Sequence, residues 1–132
     1  MSKEDSAYFA GLFDGEGCVT TRNSHRTLIL SVSQKDPAVL SELQEKLGSG
    51  RLGCWGGVWR LRISKREDVQ RLIIMILPYS RVKRPQLEVA LQLLEMRGYR
   101  KSPQADELHE QLAALKSSTG RKMGERIEHV AA

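Results

Sequence analysis

Gly11 and Gly15 stand inside the first stretch of the chain that carries helical periodicity. A glycine in a helix interior costs about 1 kcal/mol relative to alanine, so two of them need a reason. Ser2 and Asp5 have capping-box spacing and open a helix from about Lys3 to Gly15. Phe9, Leu12 and Phe13 make its bulky stripe, while Ala7, Gly11 and Gly15 make a second stripe without bulk. A helix built this way buries one face in its own core and lets a second helix approach the other almost backbone to backbone. Its end is also unusual. Asp14 and Glu16 place two carboxylates where the helix dipole and free carbonyls are already negative. Carboxylate and carbonyl oxygens are the ligands that Mg²⁺ prefers.

Strand and helix signals then alternate. Cys18 to Asn23 and Thr27 to Gln34 read as two strands joined by an Asn23-Ser24-His25 turn. In the second strand Leu28, Leu30 and Val32 share one face, and Thr27, Ile29, Ser31 and Ser33 the other. Asp36-Pro37 opens a helix that buries Leu40, Leu43 and Leu47 and ends at Gly48. Gly56-Gly57 predicts a tight hairpin between strands at Gly50 to Trp55 and Val58 to Ser64. Ser64 and Glu67 have capping-box spacing for a third helix, with Val69, Leu72, Ile73 and Ile76 inward and Pro78 as its stop. Pro85 opens a fourth helix to about Arg97, and Ser102-Pro103 a fifth, with Leu108, Leu112 and Leu115 inward. The order α-ββ-α-ββ-α-α-α is that of an α+β fold: an antiparallel four-stranded sheet with helices on one face.

The 132 residues, 40% of them apolar, suit one domain with a real core. We expect residues 1–100 to form that core and 101–132 a helical extension of the same domain. No apolar run nears the roughly 18 residues of a membrane span, and no secretory leader is evident. Cys18 and Cys54 are too few for a disulfide framework. Together these features suggest a cytoplasmic, nucleoid or organelle-matrix protein that is not secreted. Net charge is +5, but residues 51–84 alone hold nine Lys/Arg against two acidic residues. Arg60 and Arg62 alternate with Trp59, Leu61 and Ile63 and so fall on the sheet face away from the core. A basic sheet face suits a polyanion, and a β-ribbon can read a DNA groove.

Phe9-Ala10-Gly11-Leu12-Phe13-Asp14-Gly15-Glu16-Gly17 resembles the signature of the LAGLIDADG homing endonucleases, and the element order resembles that family's αββαββα layout with a saddle-shaped sheet. With one copy of the motif, the chain resembles the single-motif homodimeric members, the I-CreI type. Ser33-Gln34-Lys35, the segment Leu77 to Lys83, Ser102-Pro103 and Gln111 to Leu115 extend the likeness across roughly Ser2 to Lys122.

The resemblance implies a site-specific endonuclease. Two copies of the first helix would pack through Ala7, Gly11 and Gly15, and each would deliver one acid to a metal site. Long pseudo-palindromic duplex DNA would be cut on both strands to leave 3′ overhangs, with Mg²⁺ as cofactor and Mn²⁺ able to substitute. Glu16 and the Gly15 carbonyl would hold metal, and Gln34 and Lys83 would complete the catalytic set. Arg22, His25, Thr27, Ser31, Arg51, Trp55, Arg60 and Arg62 would contact DNA from the sheet, with Lys116 and Lys122 nearer the chain end. No membrane and no small-molecule substrate are implied. Ala38 stands where the family's prototype has a basic residue near its active site, and Lys35 is the replacement at hand. Asp14 is expected to brace the helix end rather than bind metal. The alternative on the same scaffold is a nucleic-acid-binding protein without cleavage, a maturase or a regulator.

Overall fold

A computed structural model describes residues 1–22, 27–96 and 103–115. The order is α1 (Lys3–Glu16), β1 (Gly17–Arg22), β2 (Thr27–Gln34), α2 (Pro37–Leu47), β3 (Arg51–Trp55), β4 (Val58–Ile63), α3 (Arg66–Ile76), a 3₁₀ turn (Leu77–Tyr79) and α4 (Arg84–Glu95). A fifth helix, α5, covers 103–115. The expected Asn23-Ser24-His25 turn, Ser102, and the segment from Lys116 to the end, Lys122 included, lie outside the described residues.

The four strands form one antiparallel sheet in the order β1-β2-β4-β3. Alternation decides which side of it is buried. Val19 pairs with Leu30, Val32 with Leu61 and Leu52 with Leu61, and these face the helices. There they meet Phe9 and Phe13 of α1, Leu40, Leu43 and Leu47 of α2, and Val69, Leu72, Ile73 and Ile76 of α3. Leu87, Ala90, Leu93 and Leu94 of α4 join them, as do Ala105 and Leu112 of α5. Leu108 and Leu115 pack at the margin of this core, half-buried.

Local signals act as expected at three junctions. Ser2 and Asp5 close the reciprocal capping box on α1. Asp36 accepts a hydrogen bond from Ala38 N–H at 2.9 Å, and Gly48 ends α2 in the left-handed region at φ 73°. Gly56 and Gly57 both take positive φ, 58° and 80°, as a two-residue hairpin with the strand twist requires.

Pro78 stops α3 as expected: the α-helix ends at Ile76, and Leu77–Tyr79 add one 3₁₀ turn. Two expectations need correction. The Ser64–Glu67 capping box does not form: Lys65 is the N-cap of α3, with no side-chain cap bond. The fourth helix closes at Glu95, short of Arg97. Its end is capped from elsewhere, since the Arg66 guanidinium donates to the Leu94 carbonyl. Arg71 does the same for the Leu47 carbonyl at the end of α2.

Candidate active site

α1 passes into β1 with no intervening loop. Gly17 is the C-cap in extended conformation, and its N–H donates to the Phe13 carbonyl. A Cβ on Gly17 would lie 2.4 Å from Phe13 Cδ2 and 2.5 Å from the Phe13 carbonyl oxygen, so only glycine fits this corner. The tight corner sets Glu16 at the edge of the polar sheet face. Glu16 is exposed and lines a depression of about 360 Å³ with Ser33, Gln34, Lys35 and Val58. The structure thus brings Glu16 and Gln34 together, and it adds Lys35. Ala38 is exposed nearby at the start of α2.

Asp14 has a different task. It accepts from Ser80 Oγ at 2.6 Å, from Arg81 N–H at 2.7 Å and from Lys83 N–H at 3.0 Å. Partial burial alone would raise its pKa; the Ser80 hydroxyl and the backbone N–H groups of Lys83, Arg81 and Val82 outweigh that and hold it below the usual carboxylate value. One motif acid therefore clamps the segment before α4, and the other, at the helix end, has no hydrogen-bond or ion-pair partner among the described residues. The same clamp fixes Lys83, which is the N-cap of α4 and only 8% exposed. No acidic side chain pairs with its ammonium among the described residues.

Glu16 offers a hard oxygen donor beside last-turn carbonyls that lack intrahelical donors, and no basic side chain stands in that turn. This donor set fits a Mg²⁺-type ion, but incompletely. Among the described residues no group of three His, Cys, Asp or Glu side chains converges. Glu16 is the one carboxylate among the residues that line the depression.

The polar face of the sheet continues away from this depression in register. One cross-strand row is Ser33, Arg60 and Gly53; the next is Cys18, Ser31, Arg62 and Arg51. Arg60 Nε donates to Ser33 Oγ at 3.2 Å. At the far end Arg22, Arg51, Arg62 and Lys65 surround Ile29 in a cleft of about 220 Å³. Ile29 is buried despite its polar-face position, because these long side chains cover it. Arg22 and Thr27 pair across β1 and β2 beside it. All described sheet residues expected to contact DNA therefore share one face. Lys65 was not expected at this face; it lies beyond the end of β4, as the N-cap of α3, and only the fold brings it to the cleft.

The bulk-free stripe faces outward. Ala7, Gly11 and Gly15 are exposed, and a Cβ on Gly11 or Gly15 would meet nothing within 4 Å among the described residues.

The LAGLIDADG-like domain profile matches residues 3–76, from the capping box through α3. The chain belongs to the LAGLIDADG family. It is a single-motif LAGLIDADG protein, and the family is one of DNA-binding nucleases. Among solved structures, the homing endonuclease I-CvuI, in complex with a DNA target and Mg, superposes with a TM-score of 0.65 at 21% identity, over 90% of this chain and 83% of that one. The homing endonuclease I-TnaI gives 0.65 at 20% identity, over 90% and 98%. The meganuclease I-AabMI, bound to uncleaved DNA, gives 0.66 at 23% identity, over 86% of this chain but 44% of that one. A search of curated protein sequences finds no match. No helix among the described residues is long and apolar enough to cross a membrane.

Proposed function

We propose that this LAGLIDADG protein acts as a homodimeric, divalent-metal-dependent endonuclease that cuts both strands of a long pseudo-palindromic DNA site and leaves 3′ overhangs. One observation carries the reading: of the two motif acids, Asp14 is consumed in bracing, while Glu16 stands free in a depression shared with Gln34 and Lys35. A free carboxylate on a negative helix end is unfavourable alone and becomes useful when a cation and a phosphate complete it. Ala7, Gly11 and Gly15 leave α1 open to a second copy, which would bring the second acid.

Glu16 and the Gly15 carbonyl would hold Mg²⁺, or Mn²⁺ in its place, and the ion would supply charge neutralisation at the scissile phosphate. The other residues have tasks of their own. Lys35 brings positive charge to the depression, where Ala38 has none to give. The Gln34 amide can both donate and accept, which suits it to orienting a water against the phosphate. Lys83, held by Asp14, adds a cation whose solvation is already reduced by burial. Arg22, Thr27, Ser31, Arg51, Arg60 and Arg62 present the groove-facing surface, and His25, Lys116 and Lys122 remain proposed contacts. The helical segment after residue 100 is proposed as an extension of the same domain.

The test separates binding from chemistry. Duplex binding is measured in Ca²⁺ and cleavage in Mg²⁺, for wild type and Glu16→Gln, on a site selected from a randomised library. Cleavage should fall by a factor on the order of 10³ or more while affinity is kept or improved. Wild type that binds a selected site and never cuts would indicate the maturase or regulator reading. Near-normal nicking by Glu16→Gln would place the metal elsewhere.

A further inference from the structure

Trp55 lies on the polar face at the tip of the β3–β4 hairpin, directly opposite Val58. It does not stand out from the tip. The indole runs back along β3 over Gly53, where a Cβ would sit 2.6 Å from Cη2 and 2.9 Å from Cζ3. Gly53 is therefore the floor of the ring, and any side chain there would expel it. The ring ends beneath Arg62, whose guanidinium carbon is 5.3 Å from the ring centroid.

Arg62 needs such a partner. It pairs across the strands with Arg51 on the same face, and like charges placed directly opposite repel. An unheld Arg62 would swing away from Arg51 in any direction. The indole gives it one direction and attracts the cation through its π-face. The ring meets the guanidinium from one side only. N–H donors that point away from the ring are available to a pair of acceptors such as O6 and N7 of guanine. Arg60, one row closer to Glu16, is held differently, by its Nε on Ser33 Oγ. Trp55 is itself 55% exposed, so a direct base contact is the competing role.

We propose that Trp55 is a positioning residue that aims Arg62 at the acceptor edge of one base pair, with Gly53 as the platform that permits it. This rests on the DNA-binding reading above. Arg62 is the reader; Trp55 fixes its direction and contributes specificity without touching a base.

The test is selection of bound sites from a randomised duplex library in Ca²⁺, followed by affinities on the best site and its single-base variants. Arg62→Ala should flatten the preference at one base position. Trp55→Leu, which keeps apolar bulk and removes the π-face, should weaken the preference at that same position about two- to fivefold and leave the others intact. Gly53→Ala should reproduce this with the tryptophan still present. Trp55→Phe should restore most of it. The double variant Trp55→Leu/Arg62→Ala should be no worse than Arg62→Ala alone. The proposal is overturned if Trp55→Leu flattens a different position, lowers affinity uniformly, or adds fully to Arg62→Ala, since Trp55 would then contact DNA itself. It is also overturned if Arg62→Ala changes no position. A wild-type protein that binds no duplex would bring down the DNA-binding reading and this inference with it, which is a result distinct from all of these.

Discussion

Two acids of one motif, two residues apart, have opposite fates, and the difference is tertiary. Asp14 has oxygens within reach of Ser80 and of three successive backbone N–H groups, so it is bound into the segment 80–83. Among the described residues no such segment binds Glu16. Spacing alone shows both as carboxylates at a helix end, and the expectation that Asp14 braces the end gains its partner only from contacts 66 to 69 residues away in sequence. The lowered pKa of Asp14 has a measurable consequence. Its contribution to stability is complete above the unfolded carboxylate pKa of about 3.9 and is lost as pH falls through the lower folded value. Asp14→Asn removes that contribution at every pH and leaves one acceptor oxygen for several donors. We expect the variant to be less stable by about 1.5–3 kcal/mol near pH 7. The gap to wild type should narrow as pH is lowered below 4. Urea denaturation across pH 3–7 measures it, and a gap that stays constant would show that the charge on Asp14 has no part in holding the segment.

At the scale of elements, the helices were legible where a single face does the packing. Leu40, Leu43 and Leu47 of α2, and Val69, Leu72, Ile73 and Ile76 of α3, are the residues that periodicity placed inward, and all are buried. Periodicity reports a face, and a face is what a layered core selects. Helix ends were less legible because their partners are remote. Ser64 has the right residue three places on, yet α3 opens one residue later than that box requires, at Arg66, and Lys65 becomes the cap. The ends of α2 and α4 rely on Arg71 and Arg66 from α3, which no local signal announces. The glycines of the motif also divide. Gly17 is required by the α1–β1 corner, where a Cβ meets backbone as well as ring. Gly17→Ala should therefore destabilise the chain by about 1–3 kcal/mol through overpacking. Gly11→Ala meets nothing among the described residues and should strengthen α1 by up to about 1 kcal/mol when the chain is held dilute enough to be monomeric. Denaturation of both variants under those conditions checks the pair; a Gly17→Ala protein as stable as wild type would mean the corner relaxes freely.

For the whole molecule, the question is what offsets the open stripe on α1. Gly11 and Gly15 weaken the helix and gain no close neighbour among the described residues. The proposed metal site needs more than Glu16, since among the described residues no group of three His, Cys, Asp or Glu side chains converges. Both deficits lie on the same helix, α1. A second copy packed along Ala7, Gly11 and Gly15 would meet them together, since close approach of two such helices brings two Glu16 carboxylates near one axis. Two-fold symmetry of the protein would then be matched by a pseudo-palindromic site, with each sheet covering about one duplex turn of a target of ~20 bp. Gly11→Leu discriminates this arrangement from a monomeric binder. A Cβ at Gly11 meets nothing within 4 Å among the described residues, so the fold should stand, but the bulk of leucine would hold the two helices apart. Sedimentation should then find a dimer for wild type and a monomer for Gly11→Leu. Double-strand cleavage should be lost, while weak binding to a half-site remains. Wild type that sediments as a monomer both alone and on its DNA, yet cuts both strands, would mean that the stripe serves no second copy and that each chain completes its metal shell by some other means.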